Sequence, residues 1–186
     1  MGVYLKWLGL AVLDYALLLF TALPAALLVP LKTREQPYGL EPYSWGGWWG
    51  TYDNPPQGDE GFVRKRAPFI GVTTGWKGYV NRVVWMLRNP LYGFQRHASV
   101  EYKADVELKV KGNPDISDKY KVPGWYFVRA YRKGKLYAFE LYAVLPWSGS
   151  RCLRVRLGWK LLTDKFQRYG FAQLVDTANP FKSYGD

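Results

Sequence analysis

The sequence predicts an α+β protein: one N-terminal transmembrane helix, then a mainly antiparallel β-meander of about five strands. Three observations lead to this fold class. An apolar run extends from Trp7 to Val29, apolar and polar residues alternate after Ser99, and further apolar runs separated by turn residues follow. The predicted segments are an anchor at 1–30, a Pro/Gly/Trp-rich linker and wrapping loop at 31–74, and a β-rich domain with one short helix at 75–186.

The apolar run is long enough to cross a bilayer. At about 1.5 Å per helical residue it reaches roughly 35 Å, against about 30 Å for a hydrocarbon core. A cleaved signal peptide is the main alternative, but only Lys6 precedes the run, and the run exceeds the usual ~7–15 apolar residues. The other alternative is a helix buried in the core of a globular protein. We expect an uncleaved anchor that stops at Pro30, because proline disfavours continuation of a helix.

Asp14 is the one charged residue in this run and the predicted intramembrane polar site. A carboxyl inside a membrane span costs about 2.5–3.5 kcal/mol on insertion scales. Three interpretations are open: pairing with a polar group on a neighbouring helix, including self-association of the chain; a carboxyl near the interface that tilts the helix; and a proton relay.

The composition limits the available chemistry and partners. The chain has 186 residues and a net charge of +11, which suits anionic headgroups. Nucleic acid is a less favoured partner, because headgroups are the nearest anions to a membrane protein. One cysteine, Cys152, and one histidine, His97, exclude an intramolecular disulfide framework and Cys- or His-rich zinc sites. We expect no cofactor and no metal.

Residues 31–74 combine many prolines and glycines with many aromatic residues. Proline and glycine at this density disfavour regular structure, whereas the aromatic residues disfavour disorder. Two interpretations are open for Trp45, Trp48 and Trp49. They form a membrane-interface belt at headgroup depth, or they belong to a loop that packs onto the sheet.

The β-rich domain begins with a short amphipathic helix that we expect to end at Asn89-Pro90. It either lies in the membrane interface or covers one face of the sheet. The Lys133-Gly134 pair predicts a tight hairpin turn between two of the strands. The predicted strands are 99–111, Trp125–Arg132, Lys135–Leu145, Arg151–Leu162 and Phe171–Thr177, with Asn179-Pro180 closing the last.

The best predicted binding surface is a basic face on the strand after Arg151. Residues two apart in a strand project from one side of a sheet, so these basic side chains are expected to present their charges together. Anionic lipid or an acidic partner protein would recognise such a face, and a merely solvated outer face is the alternative. Its members are Arg151, Arg154, Arg156 and Lys160.

Catalytic motifs are missing from the sequence. The acidic loop with Asp53, Asp59 and Glu60 lacks the ligand spacing of an EF-hand, and turn formation explains its residues better than calcium does. His97 has no accompanying nucleophile motif or ligand cluster. We therefore expect no catalytic residue and no enzymatic activity.

Three stretches resemble small membrane-anchored proteins encoded by tailed bacteriophages, an uncharacterised family. They are 45–62 (WGGWWGTYDNPPQGDEGF), 88–94 (RNPLYGF) and 179–182 (NPFK). The resemblance implies a viral origin and a bacterial inner membrane, but no activity and no functional residues.

These observations predict a non-enzymatic, single-pass protein of the bacterial inner membrane whose basic β-rich domain binds anionic lipid or a partner protein. We expect a cytoplasmic domain, because basic residues follow the anchor and the cysteine has no partner. An alternative is a structural virion or genome-injection component that inserts the apolar segment into the host envelope. A third hypothesis, an enzyme acting on envelope glycans through the acidic loop, has the least support.

Overall fold

The computed structural model describes residues 2–32, 46–162 and 170–185. The helices in these ranges are α1 (Gly2–Lys32), α2 (Glu60–Lys65), α3 (Gly75–Arg88) and α4 (Tyr92–His97). The strands are β1 (Val100–Glu101), β2 (Val106–Gly112), β3 (Gly124–Arg132), β4 (Lys135–Pro146), β5 (Arg151–Trp159), β6 (Phe171–Ala172) and β7 (Leu174–Ser183). The α+β class, with a long N-terminal apolar helix, short helices and an antiparallel sheet, is confirmed.

The chain divides into two compact units. The sheet unit contains residues 1–11 and 99–186, and the helical unit contains residues 12–98. Within the helical unit, α1 and α3 share one apolar core.

Five strands form the main sheet in the order β2-β3-β4-β5-β7, with every neighbouring pair antiparallel. This is the predicted five-stranded meander. The predicted hairpin is present between β3 and β4, where Lys133 and Gly134 have φ angles of 49° and 73°. Positive φ at both central residues matches the right-handed twist of the strands, which explains why this pair tolerates so short a turn.

The strand predicted at 99–111 is divided in the structure. Its first residues form β1, which pairs with β6 in a separate two-stranded sheet, and pairing resumes only at Val106. The alternation of apolar residues identified extended backbone correctly, but a period of two carries no information about which sheet a segment joins.

The last predicted strand is longer than expected. It is interrupted at Gln173 and then continues as β7 through Asn179 and Pro180 to Ser183. Proline is tolerated there because β7 is an edge of the sheet, where one side of the strand needs no hydrogen-bond donors.

The first residues of α1 pack on one face of the sheet within the sheet unit. The rings of Tyr4 and Trp7 lie 4.8 and 5.5 Å from that of Phe139, which also contacts the fully buried Trp159. The indole Nε1 of Trp7 donates a hydrogen bond of 3.1 Å to the carbonyl of Val175. This aromatic cluster, buried at Phe139 and Trp159, positions the start of α1.

The helical unit has two apolar clusters that meet at α3. Trp85 packs with Phe62 and Ala67, whereas Met86 packs with residues of α1. The predicted end of this helix at Asn89 is confirmed, since Asn89 is its C-cap. Within the helical unit, the contacts that bury its Trp85 and Met86 are with α1, α2 and the segment after α2.

Asn81 is the buried polar link of the helical unit, at 2% exposure. Its Nδ2 donates to the carbonyls of Phe69 and Val72 at 2.8 and 2.7 Å, and its Oδ1 accepts from the Phe69 amide at 3.0 Å. One side chain therefore satisfies three backbone groups of the loop that precedes α3.

We predict that Asn81→Ala lowers the free energy of opening of residues 67–73 by about 2–3 kcal/mol, because buried backbone groups lose their partners. Hydrogen exchange followed by mass spectrometry measures this for the affected peptide. Asn54→Ala is the matched control. It removes an exposed amide and should change the value by less than about 0.5 kcal/mol. Equal effects of the two substitutions would contradict the role assigned to Asn81.

Candidate membrane-binding surface

α1 exposes large apolar side chains around much of its circumference, and Leu13, Tyr15, Leu18 and Leu28 are among them. A further set in the helical unit lies on one broad face, because its members are seven or four positions apart, with Phe20 next to Leu19. We call this set the α1 apolar face, and its exposed fractions are 62% for Val12, 77% for Leu19, 73% for Phe20, 60% for Leu23, 43% for Leu27 and 65% for Leu31. In the sheet unit, Leu5 and Leu8 of the same helix are likewise exposed. α1 is also long and apolar enough to cross a membrane by length and composition.

The other side of α1 packs against the rest of the helical unit. Ala25, Ala26 and Val29 are buried in one cluster with Met86 of α3, and Trp49 and Val83 pack against the same cluster. Two small alanines let the neighbouring elements approach the α1 backbone closely, as small residues do in other helix–helix contacts. Thus α1 is apolar on both sides, but only one side is covered by the described chain.

Polar contacts accompany this packing at three positions along α1. Trp49 donates from Nε1 to the Thr21 hydroxyl at 2.8 Å, and the Tyr79 hydroxyl donates to the Leu27 carbonyl at 2.9 Å. Farther toward the N-terminus, Asp14 is 6% exposed, and its Oδ2 accepts from Gln95 Nε2 at 3.1 Å. The Asp14 carboxylate therefore has a polar partner on α4 of the same chain.

The predicted tryptophan belt is placed only in part. Trp45 lies outside the described residues. Trp48 is half-buried, and its ring contacts those of Phe94 and His97, each at 5.6 Å. Trp49 is also half-buried, and its indole is hydrogen-bonded to α1. Both described tryptophans therefore pack within the helical unit.

The four residues of the predicted basic face differ in their exposure and in their ion pairing. Arg151 is exposed, and its Nη1 donates to the Phe181 carbonyl at 2.9 Å, while Lys160 is half-buried. Arg154 and Arg156 are half-buried and ion-paired. Two of the four predicted lipid-binding side chains thus make internal ion pairs, with Asp118 and Glu140 respectively.

Glu140 is the centre of a buried network that sequence reasoning missed. The residue is 0% exposed. Its Oε1 accepts from Arg156 at 2.7 Å and from the Tyr126 hydroxyl at 3.0 Å, and its Oε2 accepts from the amides of Leu161 and Leu162 at 2.7 and 3.0 Å. The carboxylate of Glu140 therefore links β4, on which it lies, to β3, to β5 and to the segment that follows β5. A lone Glu in the otherwise apolar run of β4 was the available sequence signal.

A second network surrounds Asp118. Its carboxylate accepts from the Tyr142 hydroxyl at 3.2 Å, and ion-pairs with Arg154 and Lys182 at 3.3 and 3.4 Å. Burial acts to raise the pKa of Asp118, but the charges of Arg154 and Lys182 outweigh it, so this pKa lies below its usual range. Burial, reinforced by Asp118, raises the pKa of Tyr142 to about 12.

The depressed pKa of Asp118 gives a signed prediction. A carboxyl of this kind stabilises the folded state above its unfolded pKa of about 4, and the stabilisation is lost as the pH falls through the lower folded pKa. Unfolding measured between about pH 5 and pH 2 should therefore show a shallower loss of stability in Asp118→Asn than in the wild type. Lys182→Gln removes one of the two cations and should give an intermediate slope. Identical slopes for all three proteins would contradict the assignment.

The hairpin between β4 and β5 and the end of β7 together carry an exposed aromatic corner. Trp147 and Phe181 are 58% and 70% exposed, with ring centroids 6.5 Å apart, and Trp147 Nε1 donates to the Pro180 carbonyl at 2.7 Å. With the guanidinium of Arg151 close by, this corner is a smaller amphipathic surface of the sheet unit.

The acidic loop has structural roles. Asp59 caps α2 by accepting from the Phe62 amide at 2.6 Å, Glu60 pairs with Arg64 at 2.8 Å, and Asp53 accepts from the Tyr92 hydroxyl at 3.2 Å. Within the described ranges, no group of three or more His, Cys, Asp or Glu residues is placed to hold a metal ion.

Comparison with known proteins gives one finding. The model of a family described as a family of unknown function, DUF7338, matches residues 1–186. No curated protein and no solved structure matches the chain.

Proposed function

Because the chain belongs to DUF7338, a family of unknown function, we propose a function from its own surface: α1 attaches this non-enzymatic protein to an anionic bilayer. The α1 apolar face contacts the lipid, and the exposed basic side chains stay at the headgroups. The observation that carries the proposal is the exposure of this face, which has at least six large side chains on one side of a single helix. A water-facing helix would place polar residues there.

The net charge of +11 supports an anionic partner. Among the residues of the helical unit that the structure describes, the exposed basic side chains outnumber the exposed acidic ones. Basic groups close to a negatively charged leaflet contribute about 1 kcal/mol each. These exposed basic side chains are Arg64, Lys65, Arg66, Lys77 and Arg88. The guanidinium of Arg151 is the member of the predicted basic face best exposed for the same purpose.

Bacterial origin and location extend the proposal. The resemblance to phage-encoded proteins supports expression during infection and a place at the bacterial inner membrane. Cys152 is a free, fully buried thiol, and burial raises its pKa. A reduced cysteine supports placing the sheet unit on the cytoplasmic side.

Fractionation and vesicle flotation test the proposal. The full chain, expressed in bacteria, should sediment with membranes, keep its N-terminus by mass spectrometry, and need detergent for release. The purified protein should float with anionic vesicles and less with zwitterionic ones. Recovery in the soluble fraction without detergent, or a mature chain that lacks α1, would contradict the proposal.

A further inference from the structure

We infer that α1 lies in the plane of one leaflet, with the α1 apolar face against lipid and its opposite side against the chain's own helices, rather than crossing the bilayer. The inference rests on the proposed membrane attachment and specifies its geometry. It replaces a spanning anchor with a monotopic one.

α1 has protein partners along most of its length. In the helical unit, contacts to other elements begin at Asp14, which accepts from Gln95, and continue to Val29 in the Met86 cluster. These positions are about 22 Å apart along a helix, most of the thickness of a hydrocarbon core. In the sheet unit, Trp7 of the same helix has its own partner, the Val175 carbonyl. A spanning α1 would therefore carry its partners into the hydrocarbon.

The elements that contact α1 carry exposed charged side chains close to the contacts. Two residues beyond Met86 is the exposed Arg88, and two residues before Tyr79 is the exposed Lys77. Placing a charged group at the bilayer centre costs about 2.5–3.5 kcal/mol even on the lower scales, and several such groups lie on α2 and α3. Water or headgroups must therefore be next to these helices.

The covered and exposed sides of α1 carry different residues. In a lone spanning helix the whole circumference meets lipid. In α1 the covered side holds Asp14, Thr21 and the small residues, whereas the exposed side holds the large apolar ones. α1 has no charged face of its own, so the packed helices of the helical unit take the place that water has beside an ordinary interfacial helix.

Cysteine accessibility at the two ends of α1 tests the inference. Gly2 is exposed with open space around it, and Lys77 is exposed and lies two residues before Tyr79, which contacts Leu27 near the other end of α1. Gly2→Cys and Lys77→Cys should therefore leave the fold intact and report on the two ends of α1. Cys152→Ala is the background, and Glu107→Cys, exposed on β2, reports the side of the sheet unit. Cells with the outer membrane removed and inverted inner-membrane vesicles are each treated with a membrane-impermeant maleimide.

We expect the three cysteines to react from the same side of the membrane, to similar extents. Labelling of Gly2→Cys and Lys77→Cys from opposite sides, or of neither until detergent is added, overturns the in-plane arrangement while leaving membrane attachment intact. Absence of the protein from the membrane fraction, or loss of the label at position 2 by cleavage, instead overturns the proposed function itself.

Discussion

Glu140→Ala is expected to lower the free energy of opening of β4 and β5 by about 3–5 kcal/mol. Removing one partner of a buried ion pair leaves the other charge without compensation, and costs of this size are typical. Here the loss affects Arg156, the Tyr126 hydroxyl and the amides that follow β5, all of which now donate to Glu140. Hydrogen exchange of peptides from β4 and β5 isolates this effect from events in the helical unit.

Two further variants make this prediction specific. Glu140→Gln keeps the shape and one acceptor oxygen but removes the charge opposite Arg156, so its effect should be smaller than that of Glu140→Ala. Glu107→Ala removes an exposed carboxylate that pairs with Lys109 at 3.3 Å, and should cost less than about 1 kcal/mol. A Glu140→Ala protein within about 1 kcal/mol of the wild type would show that the network is not a main support of the sheet.

The double substitution Leu19→Asp and Phe20→Asp is expected to weaken partition into anionic vesicles by at least about 100-fold. Both side chains are more than 70% exposed, so the fold should persist, whereas each carboxylate placed in lipid opposes binding by about 2.5–3.5 kcal/mol when fully inserted. A difference of 1.4 kcal/mol is already tenfold in partition. Flotation at increasing lipid concentration measures the effect.

The matched control carries the same two charges elsewhere. Ile70→Asp and Tyr120→Asp alter side chains that are 64% and 72% exposed but lie outside α1. This protein should bind vesicles within about twofold of the wild type. Equal weakening by both pairs would indicate that net charge, and not the α1 apolar face, determines binding.

Local patterns predicted much of the fold. The length of the apolar run, the Asn89-Pro90 helix end and the Lys133-Gly134 hairpin depend on neighbouring residues, so the sequence carries them directly. The boundaries inside 99–111 and at Pro180 depend on which strand lies alongside, information that periodicity does not contain.

The candidate surface was less predictable for a related reason. α1 is apolar all round, so its sequence did not show which side meets protein, and Asp14 and Thr21 were the only local signals. The basic face was inferred from alternation within β5. The pairing of Arg154 and Arg156 depends on Asp118 and Glu140, which are brought there by the fold and by the register of β4 against β5.

Nitroxide accessibility along α1 is the most direct test of membrane binding through the α1 apolar face. Labels at Leu19→Cys and Leu27→Cys, on the α1 apolar face, are compared with a label at Ile70→Cys in vesicle-bound protein with the Cys152→Ala background. We expect the two α1 labels to be more accessible to oxygen, which concentrates in lipid, than to a water-soluble nickel complex, and the label at position 70 to show the reverse. Labels at 19 and 27 as accessible to the nickel complex as the one at 70 would contradict the claim that this face binds the bilayer.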